Sequence, residues 1–105
     1  MRYHIAKEYT DCPGARFIMN GPYSGEDFRE NVLKRLMRES KPGEKINLVF
    51  DGAYGYPVSF LDEAFRVLAK EIGKNEILML FNFESNDDPG LVDEIKSLID
   101  DVKFD

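Results

Sequence analysis

The sequence holds one cysteine and one histidine in 105 residues, and neither has the neighbours that chemistry needs. Cys12 cannot close an internal disulfide and suits a reducing compartment. It sits in the turn Asp11-Cys12-Pro13-Gly14 with no His or Asp placed to make it a nucleophile, so it reads as a plain thiol. His4, without a second His or a Cys close by, reads as a sheet-surface residue. No metal cluster, general base or activated nucleophile can be assembled from what remains. A non-enzymatic protein without cofactors is therefore expected.

Basic patches and long apolar runs are also missing. The 14 Lys and Arg are interleaved with 20 Asp and Glu, for a net charge of −6. A nucleic-acid partner would need clustered basic residues. The longest apolar run, Ile77–Phe81, is far short of the roughly 20 residues that span a bilayer. The start of the chain, broken by Arg2, His4, Lys7 and Glu8, does not read as a signal peptide. These absences point to a cytoplasmic domain with no membrane partner. What the sequence does have is a 43% apolar content with five Tyr and eight Phe, enough for one core in one domain, 1–105.

The order of elements follows from periodicity and turn chemistry. Partial alternation over 2–8 predicts an edge strand, and ARFIMN at 15–20 predicts a second strand returning antiparallel to it. A helix over 25–39 places Phe28, Val32, Leu36 and Met37 on one face. INLVF within 45–51 predicts a strand buried on both faces. A second helix, 59–72, carries Leu61, Ala64, Phe65, Leu68 and Ile72, with Gly73 at its end. EILMLFN, 76–82, predicts a last strand. Asp88 as cap and Pro89 as first residue open a third helix, 89–102, with the stripe Leu91, Ile95, Leu98, Ile99 and Val102. The expected fold is a small α/β sandwich, β-β-α-β-α-β-α, with a mixed four-stranded sheet and three main helices. Phe65, Leu68, Val49 and Leu80 are its expected core.

Two helix starts share one device. Ser24-Gly25-Glu26-Asp27 and Ser59-Phe60-Leu61-Asp62 both fit S-x-x-[DE], in which the hydroxyl caps the helix and the acid reaches back. Both follow strands at the carboxyl end of the sheet, the rim where open α/β sheets bind ligands. Free amides there favour a negative group, so a capping serine can also accept a phosphate.

FRENVLKRL, NLVFDGAYGYPVSFLDEAF and ILMLF, with SGEDF at 24–28 and SFLDEAF at 59–65, resemble the STAS-like domains, relatives of the anti-sigma factor antagonists. In those antagonists a strand ends in Asp, and a serine at the following helix start is phosphorylated by a partner kinase. The resemblance matches Asp51 to that Asp and Ser59 to the phosphoacceptor. It implies a histidine-kinase-like ATPase acting as serine kinase, or another regulator, as the protein partner. Pro57 and Phe60 stand where antagonists carry an acid and a glycine.

Asp51 has neither the acidic pair nor the lysine of a receiver domain, so a loop-anchoring hydrogen bond is its expected role. Tyr54 and Tyr56 flank Gly55; each either covers the core or anchors a partner. The acids from Asp87 to Asp105 read as a solvated helix face. The expected function is regulatory protein–protein contact through Asp51, Tyr54, Gly55, Tyr56, Phe60 and Asp62, beside Ser24 and Gly25. The alternative is an anion- or nucleotide-binding module built on the two helix N-termini.

Overall fold

In the computed structural model, which describes residues 1–101, Ile46–Val49 is the central strand of a three-stranded sheet. We label this strand β2. β1 (Arg2–His4) and β3 (Phe81–Glu84) flank it, and both pairings are parallel. Tyr3, Leu48 and Phe83 lie in one row of the register, and Arg2, Asn47 and Asn82 in the next. Because side chains alternate across a strand, Ile46, Leu48 and Phe50 face the main core, whereas Asn47 and Val49 face away.

Each strand hands over to a helix. Ile5–Glu8 forms a short helix, α1, and the Glu8 carboxylate accepts from the His4 amide at 2.6 Å. A continuous helix, α2, covers residues 25–39; it is α-helical at Gly25–Asp27 and Lys34–Glu39, and widens to a π-helix across Phe28–Leu33. The helix after β2, α3, covers residues 58–72 with its own π segment, Asp62–Arg66. The two π segments pack against each other, so both crossovers lay their helices on one face of the sheet. Gly73, at φ 98, ends α3. The chain then enters α4 (Lys74–Leu80), β3 and finally α5 (Gly90–Asp100), which packs on α3.

Phe28, Phe50, Phe60, Phe65 and Phe81, with Leu48, Leu61 and Leu68, fill the space between sheet and helices. Burying a side chain of this kind contributes about 1.5–3 kcal/mol. The opposite sheet face is polar. Arg2 donates twice to Glu84 (3.3 and 3.0 Å), and Asn82 donates to Asn47 at 2.9 Å. Val49 is also buried, but on this side and apart from the main cluster.

The α/β class and its parallel β-α-β pairings are as expected, but five expectations are corrected. Residues 15–20 form no strand, so there is no hairpin and no fourth, antiparallel strand. The carbonyls of Ala15 and Arg16 instead accept from the Gly25 and Glu26 amides at 2.9 and 3.0 Å, and Ile18–Asn20 is a 3-10 turn. β1 stops at His4 rather than continuing to residue 8. In 76–82 most of the apolar run is helix: Ile77 is buried while Leu78 and Met79 are exposed, and the strand starts only at Phe81. A short apolar run does not distinguish strand from buried helix by itself. Leu80 accordingly ends a helix and is only partly buried, not a central strand residue. Pro89, not Asp88, is the cap residue of α5. Val102 and Asp105 lie outside the described residues.

Candidate functional site

The carboxyl ends of the three strands and the N-termini of α2 and α3 form one rim. At α2 the start is closed from within. Ser24, fully buried, accepts from the Asp27 amide at 3.0 Å, as its motif requires. With Gly25 and Glu26 bonded to the 15–16 carbonyls, all three leading amides have internal partners. This end offers no free donors to an anion.

Gly25 has a packing reason. A Cβ there would lie 2.4 Å from the Phe60 carbonyl oxygen and 3.0 Å from Glu63 Cβ. The glycine of SGEDF thus lets α2 meet the first turn of α3 (SFLDEAF), and the two motifs are two sides of one helix contact. Ser24, Gly25 and Phe60 are all buried and build the rim from within.

At α3 the cap expectation fails. Pro57 occupies the cap position, and Ser59 lies one residue inside the helix, whose first turn has no side-chain cap. The half-buried Ser59 side chain makes no hydrogen bond among the described residues. Proline, with no N–H to satisfy and φ set near its own −58°, already suits a helix start. Before it, the two tyrosines divide their roles. Tyr56 covers the core, packing edge-on against Phe50 and tilted against Phe60 and donating to the Phe50 carbonyl at 3.2 Å. Tyr54 is 88% exposed and Val58 58%. Gly55 lies open beside them, with no atom near enough to restrict a side chain there.

Asp51 is a loop anchor. Its carboxylate accepts from the Asp87 amide (2.9 Å) and from the backbone and side chain of Asn86 (2.6 and 2.9 Å), tying the end of β2 to the loop after β3. Asp87 answers by accepting from the Gly52 amide at 3.0 Å. Those donors, the Asp87 amide first, hold the Asp51 carboxyl down to about 2. Asp62 is engaged as well, by Arg16 and Arg66 at 2.6 Å each. Burial alone would raise its pKa, but the hydrogen bonds from the two guanidiniums bring it below the ordinary value.

One feature of the site has no counterpart in the expectations. Arg29 of α2 and Glu63 of α3, both buried, join the π segments by an ion pair of 2.6 Å, and Arg29 also donates to the Glu63 carbonyl at 2.6 Å. Arg16 from the preceding loop approaches the other Glu63 oxygen at 3.4 Å. Desolvation pulls the Arg29 pKa down, yet its hydrogen bonds to Glu63 and Glu30 raise it on balance. The available signal was a charge beside the apolar stripe in each motif helix, Arg29 next to Phe28 and Glu63 next to Ala64. Among the described residues no group of three His, Cys, Asp or Glu is placed to hold a metal, and no helix is long and apolar enough to cross a membrane.

A family model described as a STAS-like domain of unknown function (DUF4325) matches residues 24–91, from the capping serine of α2 through β2, α3 and β3 to the start of α5. The chain belongs to this STAS-like family. The match begins at the Ser24 cap and includes both halves of the Gly25–Phe60 contact, so the helix crossing lies wholly inside the STAS-like unit. No curated protein and no solved structure matches the chain.

Proposed function

We propose that this STAS-like domain is a non-enzymatic regulatory module that acts by protein–protein contact through the rim, with Ser59 as the phosphoacceptor. The observation that carries the reading is the state of Ser59. Its hydroxyl is committed to no internal hydrogen bond and stands in the first turn of α3, next to the exposed first residue Val58 and after a loop with Tyr54 exposed. The other serine of the pair, Ser24, is buried and engaged as a cap. One motif serine is structural and the other is free for modification.

A phosphate on Ser59 would add about −1.5 to −2 charges near a helix N-terminus, which tolerates them, close to the carboxylates of Asp62 and Glu63, which oppose them. Local stability is then nearly balanced, and the change falls on whatever docks at the rim. The enzyme that supplies the phosphate is, in this reading, a histidine-kinase-like ATPase acting as serine kinase. The intact mass of protein purified from its own host tests this directly. A phosphate adduct that disappears in Ser59→Ala supports the proposal; a wild-type mass without any adduct under all growth conditions refutes the switch.

A further inference from the structure

The turn Ile18–Asn20 and its neighbour Phe17 expose three large apolar side chains in succession, Phe17 at 41%, Ile18 at 51% and Met19 at 87%. A loop whose only task is connection has no reason to carry such residues, and contiguous exposed apolar side chains mark interaction surfaces. The turn is also held firmly. The Asn20 and Gly21 amides donate back to the Phe17 and Ile18 carbonyls at 2.9 and 3.2 Å, and the Ile18 amide donates to Glu26 Oε1 at 2.9 Å. Tyr23, two residues after the Gly21 that closes the turn, takes φ 55, a conformation that a non-glycine residue keeps only where its surroundings impose it. The Tyr23 ring is fixed edge-on against Tyr9 at 5.3 Å, and the Tyr23 carbonyl accepts from the Gly14 amide at 2.9 Å. An apolar knob ordered in advance loses little entropy when it is covered, which is what a binding hot spot requires.

Glu26 shares a notch with the three knob residues. One of its carboxylate oxygens serves the Ile18 amide, and no cation among the described residues pairs with it. The nearest guanidinium in sequence, Arg29, is committed to Glu63 and Glu30, and Arg16 of the preceding loop to Asp62 and Glu63. An apolar surface bordering an unneutralised carboxylate, on a chain of net charge −6, complements one kind of side chain. That is a Lys or Arg whose aliphatic stem lies on the apolar atoms while its head meets the carboxylate.

We infer that the knob Phe17–Met19 with Glu26 is the docking element for a basic amphipathic segment of a protein partner. This rests on the protein-contact reading above and places the contact at the start of the family match, with the Phe17–Met19 knob before it and Glu26 inside it. The charge of the chain argues against an anionic membrane as the occupant.

The test is selection of a random-sequence peptide display library on the immobilised full chain. The enriched peptides are expected to set Lys or Arg among Leu, Ile, Met or Phe. A resynthesised peptide should lose about thirtyfold or more in affinity with Ile18→Ser/Met19→Ser, the loss that defines a hot spot. Glu26→Gln, which keeps an acceptor for the Ile18 amide while removing the charge, should cost a smaller factor that shrinks at high salt. If the double variant fails to fold, Met19→Ser alone replaces it, since that side chain is already in water. Acidic or uncharged winners, no enrichment, or binding indifferent to the knob variants would overturn the inference. Binding lost with Tyr54→Ser but kept with the knob variants also overturns it, and leaves the rim reading standing. Met19-dependent binding to phosphatidylcholine or phosphatidylglycerol vesicles, or a Met19-dependent dimer in sedimentation, assigns the knob to another occupant and overturns it equally.

Discussion

Replacing Gly25 with Ala tests whether the two motif helices really meet where the structure brings them together. In an ordinary helix this change stabilises by about 0.5–1 kcal/mol, because glycine carries the larger entropy cost of folding. Here the added Cβ would stand 2.4 Å from the Phe60 carbonyl oxygen, with the Phe60 carbonyl carbon at 3.1 Å and Glu63 Cβ at 3.0 Å behind it. An ordinary carbon–oxygen approach is about 3.3 Å, so the helices must part by roughly 0.9 Å. The obstacle is backbone and cannot swing aside. Overpacking of this sort costs about 1–3 kcal/mol, and the same retreat pulls on the Arg29–Glu63 pair across the crossing. The expected net effect is destabilisation by about 1–3 kcal/mol. Each kcal/mol corresponds to about 4–8 °C in Tm for a domain near this size. Urea and thermal melts followed by circular dichroism give the value. Gly55→Ala is the control, because nothing lies within 4 Å of a Cβ there; it should be neutral or slightly stabilising. A Gly25→Ala protein as stable as the wild type would refute the close crossing.

Glu63→Ala leaves the buried Arg29 without its main partner and should cost about 3–5 kcal/mol in a urea melt, whereas Arg29→Met/Glu63→Leu should restore much of it. Asp51 has a depressed folded pKa, about 2 against 3.8. It therefore contributes stability above pH 4 that is lost as pH falls toward 2, and the acid limb of an unfolding titration should be shallower in Asp51→Asn. Phe81→Ala should cost about 3–5 kcal/mol, and Leu80→Ala clearly less, since Phe81 is buried and Leu80 only partly so; equal losses would restore Leu80 to the core. Ser59→Ala should shift stability by less than about 0.5 kcal/mol, the range of a surface change, because the side chain caps nothing.

The parts of the fold that could be read in the sequence were those where burial imposes a long period. Phe28, Val32 and Leu36 repeat at helical spacing over about two turns, as do Leu61, Phe65 and Leu68, and all are buried. INLVF was legible as the central strand because it is apolar except for Asn47. The failures fall where a short apolar run was judged alone. Phe17, Ile18 and Met19 look like strand residues by composition, yet the backbone beside them serves the α2 N-terminus and no partner strand remains for it. Ile77 and Leu80 belong to a helix because Gly73 breaks α3 and lets the chain begin again at a new angle. Nothing in seven residues separates the two outcomes.

The two serine motifs were equally good matches to one pattern, and their environments made them different. A hydroxyl caps a helix only when the residue before the first turn is the serine itself; at Ser59 the preceding Pro57-Val58 starts the helix two residues sooner, and the hydroxyl moves from the cap to the first turn. The carboxylates of the motifs also part ways. Asp27 donates its amide to the Ser24 cap while its carboxylate takes Tyr9 and Asn31. Asp62 faces Arg16 and Arg66 instead. What the shared pattern encodes is thus the crossing of two helices, with glycine on one side and Phe60 on the other. The residues that this crossing leaves outside, Tyr54, Val58 and the Phe17–Met19 knob, are released from packing duty and stand in solvent, with Ser59 half-buried beside them.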